Sequence, residues 1–138
     1  MFRLVDERPD VCTIGYDDSA NAVIITWARN DNDAFRPMLE TQLRLVVEHD
    51  AAVVIVDTTE ATGALNDDNQ AWLGTDFFPR LSCTGLAALI NVVPRSATAV
   101  LVNRRSFRGR EVSFAIVEVS TLGEALALAR SYRPGVPA

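Results

Sequence analysis

Two almost continuous apolar segments constrain the fold of this chain more than any other feature. They are AAVVIVD at 51–57 and GLAALINVV at 85–93. A strand with one face in water alternates apolar and polar residues, whereas a strand covered on both faces is apolar throughout, as in a parallel sheet flanked by helices. The two segments therefore predict two central parallel strands.

Three more strands are predicted around this centre. VCTIGY (11–16) and AVIITWA (22–28) are separated by a turn-forming DDSAN, which indicates an antiparallel hairpin, and VSFAIVEV (112–119) is the last strand. Apolar residues at helical spacing predict four helices, which begin near Ala34, Asn66, Ser96 and Thr121. The order ββαβαβαβα predicts an α/β fold with a mixed, mostly parallel five-stranded sheet whose first strand is antiparallel at or near an edge.

Length and composition indicate one soluble domain. The chain has 138 residues, so we expect a single core over about 11–132 and a flexible tail at 133–138. The net charge of −5 argues against general nucleic-acid binding. The N-terminal segment lacks the apolar run of a signal peptide, and no stretch approaches the roughly 20 apolar residues that span a bilayer. We therefore expect a cytoplasmic protein without a membrane span.

Residue types exclude several chemistries. All 13 basic residues are Arg, so mechanisms that need a Schiff-base Lys or a phosphate-loop Lys are excluded. His49 is the only His, which excludes zinc sites of the multi-His type, and Cys12 and Cys83 are expected to be small buried hydrophobes. We expect a non-enzymatic protein with no catalytic residue, no metal and no cofactor.

Four segments together resemble a known family. VIITW, AVVIVDTT, NDDNQAWLGTDFFPRL and GLAALINVVP occur in this order. They resemble the small single-domain STAS-like proteins of bacteria, which are related in fold to anti-sigma-factor antagonists of the SpoIIAA type. The resemblance covers about 11–132 and is most specific between Asn66 and Pro94. It implies a regulatory module that binds a protein partner. The STAS/SEC14 label of some relatives implies an alternative, the binding of an anionic lipid or a small molecule.

The resemblance, together with the fold, directs attention to the loop after the first buried strand. In such sheets, sites form where strand C-termini meet helix N-termini. The predicted partner-binding residues are Asp57, Thr58, Thr59, Thr62, Asn66, Asp67 and Asp68. We also expect the Asp57 carboxylate to accept hydrogen bonds from the loop's own backbone.

In the antagonists, the partner kinase phosphorylates a Ser at the start of the second helix. The matching position here is Asn66, which has no hydroxyl, so the resemblance implies binding without a Ser phospho-switch and leaves Thr62 as the candidate phospho-acceptor. Asp67 and Asp68 either mimic the phosphorylated state or complement the helix dipole behind an Asn66 cap.

The segment NRRSFRGR (103–110) is basic in an otherwise acidic chain. Arg forks match carboxylate and phosphate groups, so the segment is either an anion-binding site or a solvated loop with local ion pairs. Its candidate residues are Arg104, Arg105, Arg108 and Arg110. Pairing of this segment with the acidic 57–68 loop of a second copy would give a homodimer. Trp27, Trp72, Phe77 and Phe78 are predicted either as core or as the walls of a ligand pocket.

Overall fold

The computed structural model describes residues 1–93 and 113–132. Over these residues the chain forms one six-stranded sheet in which spatial order follows sequence order. The strands are β1 (Phe2–Arg8), β2 (Cys12–Asp17), β3 (Ala22–Trp27), β4 (Val53–Asp57), β5 (Ala88–Val92) and β6 (Ala115–Val119). The first three strands pair antiparallel, and β3 to β6 are parallel. The predicted α/β class and mostly parallel sheet are confirmed.

Helices cover both faces of the sheet. They are α1 (Asn32–His49), α2 (Asp67–Trp72), α3 (Phe78–Ser82) and α4 (Leu122–Arg130), and a π-helix at Leu73–Phe77 joins α2 to α3 without a break. The larger hydrophobic cluster lies on the side of α1 to α3. The smaller cluster lies under α4 and is built largely from alanines, which permit a close approach of helix and sheet. The predicted helix from Ser96 and the tail at 133–138 lie outside the described residues.

The strand β1 corrects the predicted count of five strands. All seven of its residues are exposed, so it has no buried face and no apolar periodicity that could mark it in the sequence. This strand lies at one edge of the described sheet. It has a register shift between Leu4 and Asp6, and it carries four charged residues. Both features limit pairing with the edge of another sheet. Its neighbour needs Gly15, because a Cβ there would lie 2.1 Å from the Arg3 carbonyl oxygen.

Side-chain caps set the starts of the helices. The Asp31 carboxylate accepts hydrogen bonds from the backbone N–H groups of Asp33 (2.9 Å) and Ala34 (3.1 Å) at the start of α1. The Thr121 hydroxyl accepts from the Glu124 N–H over 3.1 Å at the start of α4. These caps confirm two predicted helix starts, since each satisfies backbone donors that have no partner within the helix.

Pro79 shapes the segment between β4 and β5. A proline inside a helix lacks the N–H donor, and its ring clashes with the carbonyl four residues earlier. The sequence predicts a kink or an end there, but the helix instead widens into the π-helix just before Pro79 and continues as α3. Two consecutive aromatic residues at this junction, Phe77 and Phe78, are both buried. Among the described residues, no helix is long and apolar enough to cross a membrane.

Candidate functional site

The 57–68 loop begins with two buried side chains that hold it to the sheet. The Asp57 carboxylate accepts from the backbone N–H of Thr59 (3.0 Å) and from its hydroxyl (2.7 Å), as predicted. The backbone N–H and the hydroxyl of Thr58 both donate to the Val92 carbonyl oxygen over 3.0 Å. Because both are buried, Asp57 and Thr58 support the loop from within.

The middle of the loop is fastened to the segment that follows β3. The Thr62 N–H donates to the Ala28 carbonyl oxygen (3.3 Å), and the Thr62 carbonyl oxygen accepts from the Asn30 N–H (2.8 Å). The Asn30 side-chain amide adds a bond of 2.8 Å to the carbonyl oxygen of Gly63, whose left-handed φ of 77° a side chain would strain. Two loops that are distant in sequence thus form one surface at the carboxyl ends of β3 and β4.

A network of asparagines joins the starts of α1 and α2. The Asn66 side chain caps α2 by accepting from the Asn69 N–H over 2.8 Å, which confirms the predicted cap. The Asn66 N–H in turn donates to Asn32 Oδ1 (2.8 Å), and the Arg36 Nε donates to the buried Asn69 Oδ1 (2.9 Å). The end of the loop is therefore set by side chains from both helices.

The exposed part of this loop is polar and acidic. Thr62, Asn66, Asp67 and Asp68 are exposed, and Thr59 is half-buried. Asp67 and Asp68 lie in the first turn of α2, where the helix dipole favours negative charge, and neither forms an ion pair within residues 1–93 and 113–132. Of the seven predicted residues, the structure thus brings four to one surface and places two beneath it.

Trp72 packs on Phe35 and Phe77 on one side, with ring centroids 6.0 and 5.4 Å away, and lies near two arginines. The guanidinium groups of Arg36 and Arg80 lie 5.3 and 6.0 Å from its ring centroid. Arg80 forks onto the Glu40 carboxylate and also donates to Asp76 over 2.9 Å, and its hydrogen bond holds the pKa of Glu40 below its usual range. Two guanidinium groups thus lie near the half-buried Trp72, which is not among the described residues that line the cavity presented next.

A cavity of about 70 Å³ lies beneath the loop, between the sheet and the helices α1 to α3. The three other aromatic residues of the predicted set, Trp27, Phe77 and Phe78, are buried core residues that also line this cavity. Thr58 and Leu65 reach it from the 57–68 loop. The remaining described lining residues are Asn30, Phe35, Leu39, Gln42, Val56, Leu73, Leu89 and Asn91. No charged side chain lines it within the described part of the chain.

Two buried amides in this lining were not singled out from the sequence. Gln42 and Asn91 are each 1% exposed, and Gln42 Oε1 and Asn91 Nδ2 have no hydrogen-bond partner among the described residues. Gln42 lies on the buried face of α1 with Leu39 and Val46, and Asn91 interrupts an apolar strand. A polar residue on an otherwise apolar face is the sequence feature that identifies both.

The remaining reactive side chains lie apart from the loop. His49 ends α1 and stacks on Tyr16 with ring centroids 4.0 Å apart, near the amino end of β4. Burial, with a contribution from Asp6, raises the pKa of the Cys12 thiol to about 12. Cys83 is exposed at the end of α3, so the prediction that it is buried is wrong. The described residues contain no cluster of three or more metal-ligating side chains.

The predicted anion-binding residues Arg104, Arg105, Arg108 and Arg110 lie outside the described residues. No protein-family model matches the chain, and comparison with curated proteins and with solved structures gives no match.

Proposed function

We propose that this chain is a cytoplasmic, non-enzymatic regulatory module of the STAS-like kind that binds a protein partner without a Ser phospho-switch. The binding surface includes four of the exposed residues of the 57–68 loop, Thr62, Asn66, Asp67 and Asp68. The observation that carries the proposal is that this polar loop is tied to Ala28, Asn30 and Asn32 while the carboxylates of Asp67 and Asp68 remain exposed.

The ties matter for binding because they lower its entropic cost. A loop that orders only in the complex loses affinity through the freedom it gives up, whereas a loop already held in one conformation does not. Backbone bonds fix Thr62, and the cap at Asn66 fixes the first turn of α2. Two carboxylates in that turn suit a basic partner surface, most directly Arg side chains that donate paired hydrogen bonds.

The Asn66 geometry supports the absence of a Ser switch at this position. Its side-chain oxygen is already engaged as the helix cap, and an amide cannot accept a phosphate. Thr62 remains the candidate phospho-acceptor because its side chain is exposed. A phosphate there would add about −1.5 to −2 charge to a loop that already carries Asp67 and Asp68 and would change its affinity for a basic surface.

Charge reversal tests the proposal. Proteins captured from the chain's own cell extract are compared between wild type, the Asp67→Arg/Asp68→Arg double variant and Glu7→Arg, which reverses an exposed acid in β1. The double variant should lose a partner that wild type and Glu7→Arg retain. Far-UV circular dichroism checks that the double variant folds, since its two reversals place positive charge at the start of α2, where the helix dipole disfavours it. Capture of the same partner in equal amount by all three proteins contradicts the proposal.

The cavity is the observation that favours the second candidate, a lipid-binding or small-molecule-binding protein. Its described walls are uncharged and its volume is about 70 Å³, which suits a small neutral molecule better than an anionic lipid with its acyl chains. An anionic headgroup would instead need the Arg104–Arg110 segment. Co-sedimentation with phosphatidylglycerol vesicles tests lipid binding. Loss of sedimentation in Arg104→Glu/Arg105→Glu, with sedimentation retained in Arg44→Glu, would support it. Equal sedimentation of all three proteins would contradict it.

A further inference from the structure

We infer that the cavity beneath the 57–68 loop binds a small neutral molecule that presents an amide-like donor and acceptor on an apolar ring. The inference stands on the cavity and its two buried amides, and it does not depend on the proposed partner surface.

The apolar walls set the first requirement for the ligand. Nine of the thirteen described lining residues are aromatic or aliphatic, and they come from β3 to β5, the 57–68 loop, α1, the π-helix and α3. A closed cavity of about 150 Å³ lined by apolar side chains takes up benzene, so about 70 Å³ receives only part of a five- or six-membered ring, and the rest of the ligand lies in the opening of the cavity. A charged group would lose its hydration here without gaining a counter-charge among the described lining residues.

The two amides set the second requirement. Gln42 Oε1 is a buried acceptor and Asn91 Nδ2 a buried donor, and each lacks a partner among the described residues. Unpaired buried polar atoms destabilise a fold, and an apolar residue of similar shape would avoid that cost. Each amide can turn about its last torsion and present either its oxygen or its NH₂ group. A ligand with one donor and one acceptor satisfies both side chains.

Access to the cavity runs past side chains that are only half-buried. Val56 belongs to a central strand yet remains half-buried, because the cavity leaves part of its side chain uncovered. Asn30 and Leu65 are also half-buried, and they lie on the two loops that are tied together at Thr62. The cavity therefore opens beside Asn30 and Leu65, below the bonds that tie the two loops together.

Three ring molecules of similar size show how much of the binding comes from fitting the cavity and how much from hydrogen bonds. 2-Pyrrolidinone offers a donor and an acceptor, cyclopentanone an acceptor only, and cyclopentane neither. Binding is followed through the NMR signals of the Gln42 and Asn91 side-chain amides and the Leu89 and Val56 methyl groups. The lactam should saturate these shifts in the millimolar range and bind about tenfold tighter than cyclopentanone, the loss expected for one buried hydrogen bond.

Two variants and one control complete the test. Gln42→Leu and Asn91→Leu should each weaken lactam binding about tenfold and leave cyclopentane binding unchanged. Val47→Ala, on the exposed face of α1, should change neither. Should a variant fail to fold, the wild-type side-chain amide shifts still decide the question. Equal affinity for all three probes, no shift with the lactam, or water cross-peaks to both amides that persist at saturating lactam would overturn the inference.

Discussion

The side-chain amide of Asn69 donates hydrogen bonds to both the backbone carbonyl oxygen and the Oδ1 of Asn32, over 3.1 and 3.0 Å. These residues are 37 positions apart, so the pair fixes the start of α2 against the start of α1. Asn69 is buried, and its own oxygen accepts from Arg36. The position of the candidate binding surface therefore depends on a buried amide behind it.

Asn69→Ala should destabilise the protein by about 2 kcal/mol, because it removes two hydrogen bonds to Asn32 and one to a charged guanidinium. The amides of Asn30, Thr62 and Asn66, which form the ties of the loop, should exchange with deuterium faster than in wild type. Urea unfolding and hydrogen exchange measure the two effects. Glu60→Gln, an exposed change in the same loop, should alter neither. Unchanged exchange at the three amides in Asn69→Ala would show that the network does not hold the loop.

Asn66 can be replaced by the residue that carries the phosphate in the antagonists. Ser caps helices about as well as Asn does, whereas Ala does not cap, so Asn66→Ser should leave the free energy of unfolding nearly unchanged and Asn66→Ala should lower it by about 1 kcal/mol. Urea titration of the two variants in parallel gives the comparison. An equal loss in both variants would mean that the cap contributes nothing to stability.

The hydrogen bonds of the Asp17 carboxylate lead us to expect a loss of stability in acid. Burial alone would raise the pKa of its carboxyl, but hydrogen bonds from the Ser19 hydroxyl and from the backbone of Ser19 and Ala20 together lower it. With the folded-state pKa depressed, this stabilisation is present in full above the ordinary Asp pKa of about 3.9 and is lost as pH falls through the folded-state value.

Asp17→Asn keeps the acceptor oxygen and removes the titration. Its free energy of unfolding should therefore fall less steeply than that of wild type between about pH 5 and pH 2, measured by urea unfolding at each pH. Asp33→Asn serves as the control, because Asp33 is exposed and its carboxylate accepts no hydrogen bond from the described residues. Parallel pH profiles for wild type and Asp17→Asn would contradict the assignment.

The two cysteines should differ sharply in reactivity. Thiolates are the reactive form, and Cys12 is buried with its pKa raised to about 12, whereas Cys83 is exposed. At about pH 8 a disulfide reagent such as DTNB should modify one thiol of the folded protein rapidly and the second only after unfolding. Cys83→Ser should remove the fast phase. A fast phase that survives in Cys83→Ser would place Cys12 at the surface.

The predictable parts of the fold are those with a strong local or burial signature. AAVVIVD and GLAALINVV are apolar except for Asp57 and Asn91 because β4 and β5 are covered on both faces, so their pattern alone indicates a parallel sheet. Asp31, Asn66 and Thr121 cap helices through bonds within three residues, which the local sequence determines. The seven exposed residues of β1 carry no such signature, since pairing with β2 through backbone groups is independent of side-chain pattern.

The candidate site was predictable only in part. The Asp57 bonds to Thr59 follow from turn chemistry, and the loop's place follows from sheet topology. The burial of Thr58, the ties to Asn30 and Asn32, and the meeting of Gln42 with Asn91 at one cavity all join segments distant in sequence. Contacts of that kind depend on how α1 lies on the sheet, which residue spacing does not specify.

Hydrogen exchange on the complex tests the central claim most directly. The captured partner is bound to the full chain, and backbone protection is compared with that of the free chain. We expect new protection at 59–69, with β1 and the end of α1 at His49 unchanged. Protection confined to β1 or to α1, with residues 59–69 exchanging as in the free chain, would contradict the assignment of the 57–68 loop as the binding surface.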